Sequence, residues 1–148
     1  MSTVSGEFET LVAQDEDAAT LSQAMRAAFL VQVKAAKDTL LRGSDPANLT
    51  KYAAEFETHG KTVQDIRTGF KKQESWMSPE ERDLLKAFDT GYATYTQAWT
   101  KTLAIYKADP ARNQGEADAA IKGMDRDAVA TLDSLATDLD GADGGRGE

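Results

Sequence analysis

The chain has 148 residues, 41% of them hydrophobic and 28% charged, with a net charge of −8 and only three prolines. This length suits one domain with a real core, and the scarcity of proline suits long helices. The negative charge disfavours nucleic acid and anionic membrane surfaces as partners. The absence of cysteine excludes disulfides, zinc–thiolate sites and iron–sulfur clusters.

No apolar run approaches the roughly 20 residues of a membrane-spanning helix. The first ten residues, MSTVSGEFET, lack the basic start and the apolar stretch of a signal peptide. The chain is therefore expected to be cytosolic, or to be an ectodomain cut from a longer protein whose transmembrane helices are absent here.

The first predicted helix covers residues 7–42. Its core stripe advances in steps of three and four residues, as in an amphipathic helix: Leu21, Met25, Phe29, Val33, Ala36 and Leu40. Gly43 is predicted to end the helix in a left-handed conformation. Asp45 then caps a second helix with Pro46 at its first position. The stretch LLRGSDP, residues 40–46, thus predicts a sharp corner between two helices.

The second helix is predicted over residues 46–74, with apolar residues every seven positions: Leu49, Phe56, Val63 and Phe70. A capping box of Ser78 and Glu81 begins the third helix, 79–107. One face of that helix carries an aromatic-rich stripe: Leu84, Phe88, Tyr92, Tyr95, Trp99, Leu103 and Tyr106. Asp109 and Pro110 are predicted to end it.

A loop at 108–114 is predicted to lead into a fourth helix, 114–139, with these core residues: Ile121, Met124, Ala128, Leu132, Leu135 and Leu139. The Gly-rich segment 141–148 is predicted to be disordered. Four amphipathic helices joined by short corners indicate an all-α domain over residues 1–140, an antiparallel up-down-up-down four-helix bundle. In that topology the corner at 43–45 and the loop at 108–114 share one pole.

Helix one carries a second stripe, roughly 110° around from its core stripe at about 100° per residue: Arg26, Leu30, Lys34, Lys37 and Leu41. The fourth helix has a weaker counterpart: Lys122, Asp125, Val129 and Ala136. Two interpretations are open. The stripes are either snorkelling cations beside a few exposed leucines, or a self-association surface whose cations hold an anion between two subunits.

No combination of residues predicts an enzyme. His59 is the only histidine and lies on a core seam of helix two, where a hydrogen-bonded structural role is favoured over catalysis. A di-iron site needs two Glu-x-x-His pairs, which one histidine cannot supply. Haem ligation by His59 and a methionine is a less favoured alternative. No metal and no cofactor are predicted.

Three segments resemble the ligand-binding domain of bacterial methyl-accepting chemotaxis proteins. FLVQVKAAKDTLLRGSDPANLTKYAAEFETHGKTV (29–63) is similar to the corner between helices one and two of those receptors, above all in LLRG-x-DP. KGMDRDAVATLDSL (122–135) is similar to the start of their helix four, and LVAQDEDAA (11–19) to the segment after their first membrane helix. The resemblance covers residues 8–139.

The resemblance implies a periplasmic sensor domain of an inner-membrane receptor, in the form of a four-helix bundle hung between two transmembrane helices. It would form a homodimer through helices one and four, bind a small ligand near the subunit interface, and signal by a small shift of helix four. The chain departs from the family at Ala35 and Ala36, where the family often has Glu-Trp. If that tryptophan shapes a pocket, its loss alters or removes ligand binding here. The chain also has no membrane helix and ends in glycines instead of continuing as a helix, so it is expected to be an excised ectodomain or a soluble offshoot.

The predicted function is therefore ligand sensing by an extracytoplasmic chemotaxis-receptor domain. Because cations pair with carboxylates, the favoured ligand is an organic acid or an amino acid. The predicted ligand-binding residues are cations of helices one and four: Arg26, Lys34, Lys37, Arg42, Lys122 and Arg126. The alternative is a helical dimerisation or protein-interaction module that binds no small ligand.

Overall fold

The computed structural model describes the backbone of residues 3–146 and the side chains of residues 18–139. Its regular elements are five α-helices and one short 3₁₀ turn: α1 (Thr3–Arg42), α2 (Pro46–Gly69), the 3₁₀ turn (Phe70–Lys72), α3 (Pro79–Ala108), α4 (Pro110–Ile121) and α5 (Arg126–Arg146). Within residues 3–146 there is no strand, so the predicted all-α class is confirmed.

The starts of α2 and α3 follow the predicted capping chemistry. The Asp45 carboxylate accepts a hydrogen bond from the Ala47 backbone N–H at 2.9 Å, and Pro46 occupies the first turn. At α3, the Ser78 hydroxyl accepts from the Glu81 N–H at 3.1 Å, while the Glu81 carboxylate accepts from the Ser78 N–H at 2.8 Å. These bonds satisfy N–H groups that the first turn of a helix leaves unpaired.

The core forms where the predicted stripes of α1, α2 and α3 meet. Most stripe residues are buried, and four lie half-buried at the edge of the core: Leu21, Leu49, Leu84 and Leu103. In α3 the leucine that is fully buried is Leu85 rather than the predicted Leu84. The side chains of residues 11–17, which carry part of the family resemblance, lie outside the described residues.

Aromatic rings join the first three helices. Phe29 of α1 lies edge-on to three rings of α3, with centroid separations of 6.1, 5.6 and 5.3 Å: Phe88, Tyr92 and Tyr95. Phe56 of α2 stacks on Trp99 of α3 with centroids 4.3 Å apart. Such edge-on and stacked pairs stabilise a core beyond the area that they bury.

The predicted fourth helix, 114–139, is wrong in its start and in its continuity. The helix begins at Pro110, because the Asp109 carboxylate caps it by accepting from the Arg112 N–H at 3.3 Å. Pro110 therefore starts α4 instead of merely ending α3, and the predicted loop at 108–114 shrinks to its cap. The helix is then interrupted at residues 122–125, and Met124, predicted in the core, is 41% exposed.

Beyond the interruption, α5 packs on α3 and on α1, as α4 also does. It is helical through Arg146, past the predicted end at residue 139. The side chains of the predicted Gly-rich tail, 141–148, lie outside the described residues.

The corner between α1 and α2 lies beside the start of α4, as predicted. The Gln114 side-chain amide donates to the Leu40 carbonyl at 2.8 Å. This bond satisfies one of the carbonyls that the last turn of α1 leaves without a helical partner.

Glycine at position 43 serves a different purpose from the predicted one. Among the described residues, only Gly123 has a positive φ, so Gly43 does not adopt the left-handed conformation. A Cβ at this position would instead overlap the Thr39 carbonyl oxygen and lie 2.9 Å from Cε2 of Tyr106. Close packing therefore requires glycine here.

We expect Gly43→Ala to lower the free energy of unfolding by about 1–3 kcal/mol, the usual cost of overpacking. The matched control is Gly115→Ala in α4, where a Cβ would meet nothing within 4 Å and alanine should stabilise the helix by about 0.5–1 kcal/mol. Denaturant unfolding followed by circular dichroism measures both changes. Equal midpoints for Gly43→Ala and the wild type would contradict the packing argument.

Candidate ligand-binding site

The interruption between α4 and α5, here called the break (residues 122–125), is a compact turn. Its N–H groups bond back to the end of α4: Lys122 donates to the Asp118 carbonyl at 2.9 Å, and Met124 to the Ile121 carbonyl at 3.0 Å. Gly123 has a φ of 77°, which side-chain-bearing residues rarely adopt. The chain can therefore turn here and begin α5 at Arg126.

A cavity of about 320 Å³, here called the break pocket, lies between α1 and the break. Apolar and aromatic residues form much of its lining: Val33, Ala36, Leu40, Tyr95 and Ile121. Its remaining side chains are charged: Lys37, Asp118, Lys122, Asp125 and Arg126. The small side chain of Ala36 leaves this space open.

The charges of the break pocket favour an anion. Lys37, Lys122 and Arg126 contribute three positive charges against the two carboxylates of Asp118 and Asp125. This local excess of positive charge contrasts with the net charge of −8 for the whole chain. The first turn of α5 begins at Arg126, and the N-terminal end of a helix adds a partial positive charge.

Tyr95 adds a polar group to the lining. Burial raises the pKa of its hydroxyl above the ordinary value, and the negative charge of Asp125 raises it further. The hydroxyl therefore keeps its proton at neutral pH. No hydrogen bond to a described side chain or backbone group involves this hydroxyl, so it can donate to an oxygen atom of a bound ligand.

The structure brings together three of the six predicted ligand-binding residues: Lys37, Lys122 and Arg126. Arg26 instead forms an ion pair with Asp133 of α5 at 2.6 Å. Arg42 is exposed at the end of α1, with its guanidinium 3.5 Å from the Tyr52 hydroxyl. Lys34 lies exposed on α1, one turn before Lys37, and does not line the break pocket.

Sequence reasoning missed Tyr95, Asp118 and Asp125 as site residues. Tyr95 belonged to the aromatic stripe, which predicts a core position, and nothing in the spacing of that stripe marks one ring as facing a cavity. Asp118 precedes Lys122 by four residues, and Lys122 precedes Arg126 by four. That spacing hinted at one charged face, but only the turn at Gly123 brings the face against α1.

His59 is half-buried on α2 and does not line the break pocket. Among the described residues, no group of three or more histidine, aspartate or glutamate side chains is arranged to hold a metal ion. None of the described helices combines the length and the apolar character needed to cross a lipid bilayer.

Comparison with known proteins identifies no relative. No family model matches the chain, and neither a curated protein nor a solved structure is similar enough to count as a match.

The break gives a prediction about Gly123. A Cβ at this position would lie 3.7 Å or more from the nearest side-chain atom, so substitution is opposed by backbone conformation and not by space. We expect Gly123→Ala to lower the free energy of unfolding by about 1–2 kcal/mol. Gly123→Asn should lower it less, because asparagine tolerates the left-handed region.

Urea unfolding of the two Gly123 variants, with Gly115→Ala as the control for an unstrained helical glycine, measures this order. Alanine and asparagine variants of equal stability, both matching the wild type, would show that the turn does not depend on a left-handed residue.

Proposed function

We propose that this chain is the extracytoplasmic, periplasmic sensor domain of a chemotaxis receptor and binds a small organic acid or amino acid in the break pocket. The observation that carries the proposal is the convergence of Lys37, Lys122 and Arg126 on one cavity of about 320 Å³. Cations from two separate parts of the chain meet there, although the protein as a whole is acidic. The proposed role is binding and signalling, with no catalytic step.

The proposed architecture is an antiparallel four-helix bundle in which α4 and α5 together form the fourth arm. Two kinds of contact support it. Both α4 and α5 pack on α3 and on α1, which one continuous fourth helix would also do. The contacts between α1 and α5 also suit an antiparallel pair. Lys37, late in α1, lies near the start of α5, whereas Arg26, earlier in α1, pairs with Asp133 farther along α5.

A ligand in the break pocket would act on the position of α5. Its carboxylate would be held by Lys37 on one side and by Lys122 or Arg126 on the other, which links α1 to the break. Charge-assisted hydrogen bonds of this kind are about twice as strong as neutral ones. Gly123 is the residue that permits the turn, so the break is the point about which α5 would shift to carry the signal.

The proposed homodimer would use the second stripe of α1. Leu30 is 38% exposed and Leu41 is 70% exposed on that stripe, and both leucines would be covered by a second copy. Lys37 belongs to the same stripe and also lines the break pocket. A ligand there would therefore lie beside the subunit interface, where binding and dimer geometry can influence each other.

The second candidate function is a helical dimerisation or protein-interaction module without a small ligand. The exposure of Leu30 and Leu41 favours it as much as it favours a sensor. The two functions differ in whether the break pocket has an occupant.

The ligand prediction rests on Lys37. In a thermal-shift screen against carboxylic acids, amino acids and neutral sugars, an anionic ligand at a hundred times its dissociation constant should add ~2.7 kcal/mol, which is several degrees for a domain of this size. Lys37→Gln should weaken that ligand about tenfold or more, because a hydrogen bond to a charged group contributes ~1.5–3 kcal/mol.

Lys34→Gln is the matched control, because it removes the same charge from the same helix one turn away, outside the break pocket. The affinity of the Lys34→Gln variant for the same ligand should stay near the wild-type value. Equal losses of ligand affinity in the Lys34 and Lys37 variants would show that the effect comes from the overall charge of the protein and not from a contact in the break pocket. A screen in which no compound raises the melting temperature would favour the module without a small ligand.

The dimer prediction rests on Leu41. Leu41→Glu should raise the dimer dissociation constant at least tenfold in sedimentation experiments, since it places a charge in an apolar contact at a cost above ~1.4 kcal/mol. Ala104→Glu, on the exposed side of α3, adds the same charge elsewhere and should leave association unchanged. A monomeric wild-type chain at millimolar concentration, or equal effects of the two variants, would contradict this interface.

A further inference from the structure

A second cavity, here called the α2–α3 groove, has a volume of about 480 Å³ and shares no lining residue with the break pocket. Three buried rings form its base: Phe56, Tyr92 and Trp99. The side chain of Gln32, only 1% exposed, reaches it from α1. Ligand sites are typically clefts with an apolar or aromatic lining and a small number of polar groups, and the groove has this composition.

Two hydrogen-bond donors on side chains that line the groove have no acceptor among the described residues. The indole Nε1 of Trp99 is buried and finds no partner among the described residues. The Gln32 amide oxygen accepts from the Tyr92 hydroxyl at 2.9 Å, but no hydrogen bond from the Gln32 Nε2 occurs in the described part of the chain. Since a buried donor without an acceptor is costly, the Trp99 indole favours a ligand that carries an acceptor oxygen, and the Gln32 amide offers such a ligand a second donor.

A glycine keeps this space open. Gly60 lies in the middle of α2, where alanine would normally be more stable. A Cβ at position 60 would stand 2.7 Å from the Gln32 Nε2 and 3.2 Å from the Tyr92 hydroxyl. The helix thus gives up intrinsic stability at a point where a side chain would press on the polar groups of the groove.

The rim of the groove carries one charge of each sign. Glu57 and Lys61 are both exposed on α2, and they form no ion pair with each other within the described residues. The charges of this rim therefore cancel, whereas the charged residues of the break pocket have a positive excess. The rim suits a ligand that carries both a carboxylate and an ammonium group.

We propose that the α2–α3 groove is a separate binding site for a zwitterionic amino acid with an apolar side chain. The carboxylate accepts hydrogen bonds from the Gln32 amide and the Trp99 indole and lies beside Lys61. The ammonium group pairs with Glu57, and the apolar side chain packs on the aromatic base. This site shares no lining residue with the break pocket, and binding here does not require the ligand proposed for the break pocket.

The indole N–H of Trp99 is the reporter for the test. The chain has two tryptophans, so the Trp99 resonance in a ¹⁵N–¹H spectrum is the one that persists in Trp76→Phe. Titration with L-phenylalanine should move this resonance saturably, because the indole proton gains an acceptor. Two analogues, 3-phenylpropionate without the ammonium group and phenethylamine without the carboxylate, should bind at least tenfold more weakly.

Gly60→Ala should weaken L-phenylalanine at least tenfold, because its Cβ displaces the Gln32 amide. The variant is expected to fold, since the displaced atom is the end of a flexible side chain. Gly115→Ala, a helical glycine with open space around it, and Lys37→Gln should both retain wild-type affinity, which separates this site from the break pocket.

Three results would overturn the proposal. One is a Trp99 resonance that does not respond to L-phenylalanine. Another is an equal response to either analogue, which would show that the site does not require both charged groups of the amino acid. The third is evidence that the amino acid binds elsewhere, given either by unchanged affinity in Gly60→Ala or by lost affinity in Lys37→Gln.

Discussion

The packing of aromatic rings between α1, α2 and α3 is the interaction on which the rest of the structure depends. The backbones of α2 and α3 approach each other less closely than those of α1 and α2, so the rings span the distance between them. Phe56 reaches both Tyr95, at 6.0 Å, and Trp99, at 4.3 Å. Near the far end of α2, the Arg67 guanidinium bridges to both oxygens of Asp89 at 2.8 and 2.9 Å. The large rings set the distance between α2 and α3, and the ion pair fixes how the two helices align along their axes.

Where a small residue lies opposite these rings, the space between the helices is not filled and a cavity remains. Ala36 on α1 leaves the break pocket open, and Gly60 on α2 leaves the groove open. By contrast, Gly91 of α3 allows close approach, since a Cβ there would lie 3.3 Å from the backbone nitrogen of Ala128. This contact holds the first turns of α5 against α3, so the break pocket opens on the side of α1.

Heptad and 3.6-residue periodicity predicted α1, α2 and α3 well, because their apolar stripes are uninterrupted and their caps have distinct chemistry. The break escaped the same reasoning, because the apolar steps continue through it from Ile121 to Met124 to Ala128. Periodicity records which positions are apolar and carries no signal for a left-handed glycine. Proline was misread for a related reason: Pro110 both prevents α3 from continuing and suits the start of α4.

The candidate site shows the same limit. Stripe geometry grouped Lys34 with Lys37, although only Lys37 reaches the cavity, because neighbouring turns of one helix meet different surfaces of the next element. Lys122 and Arg126 were predicted from their charge and helix alone, and their approach to Lys37 depends on the turn. The wall between the two cavities includes Tyr95, which lines the break pocket, and Phe56, which lines the groove, in mutual contact. Densely packed cores transmit small displacements, and coupling between two occupied sites is reciprocal. An occupant that moved either ring would therefore act on the lining of the other cavity as well.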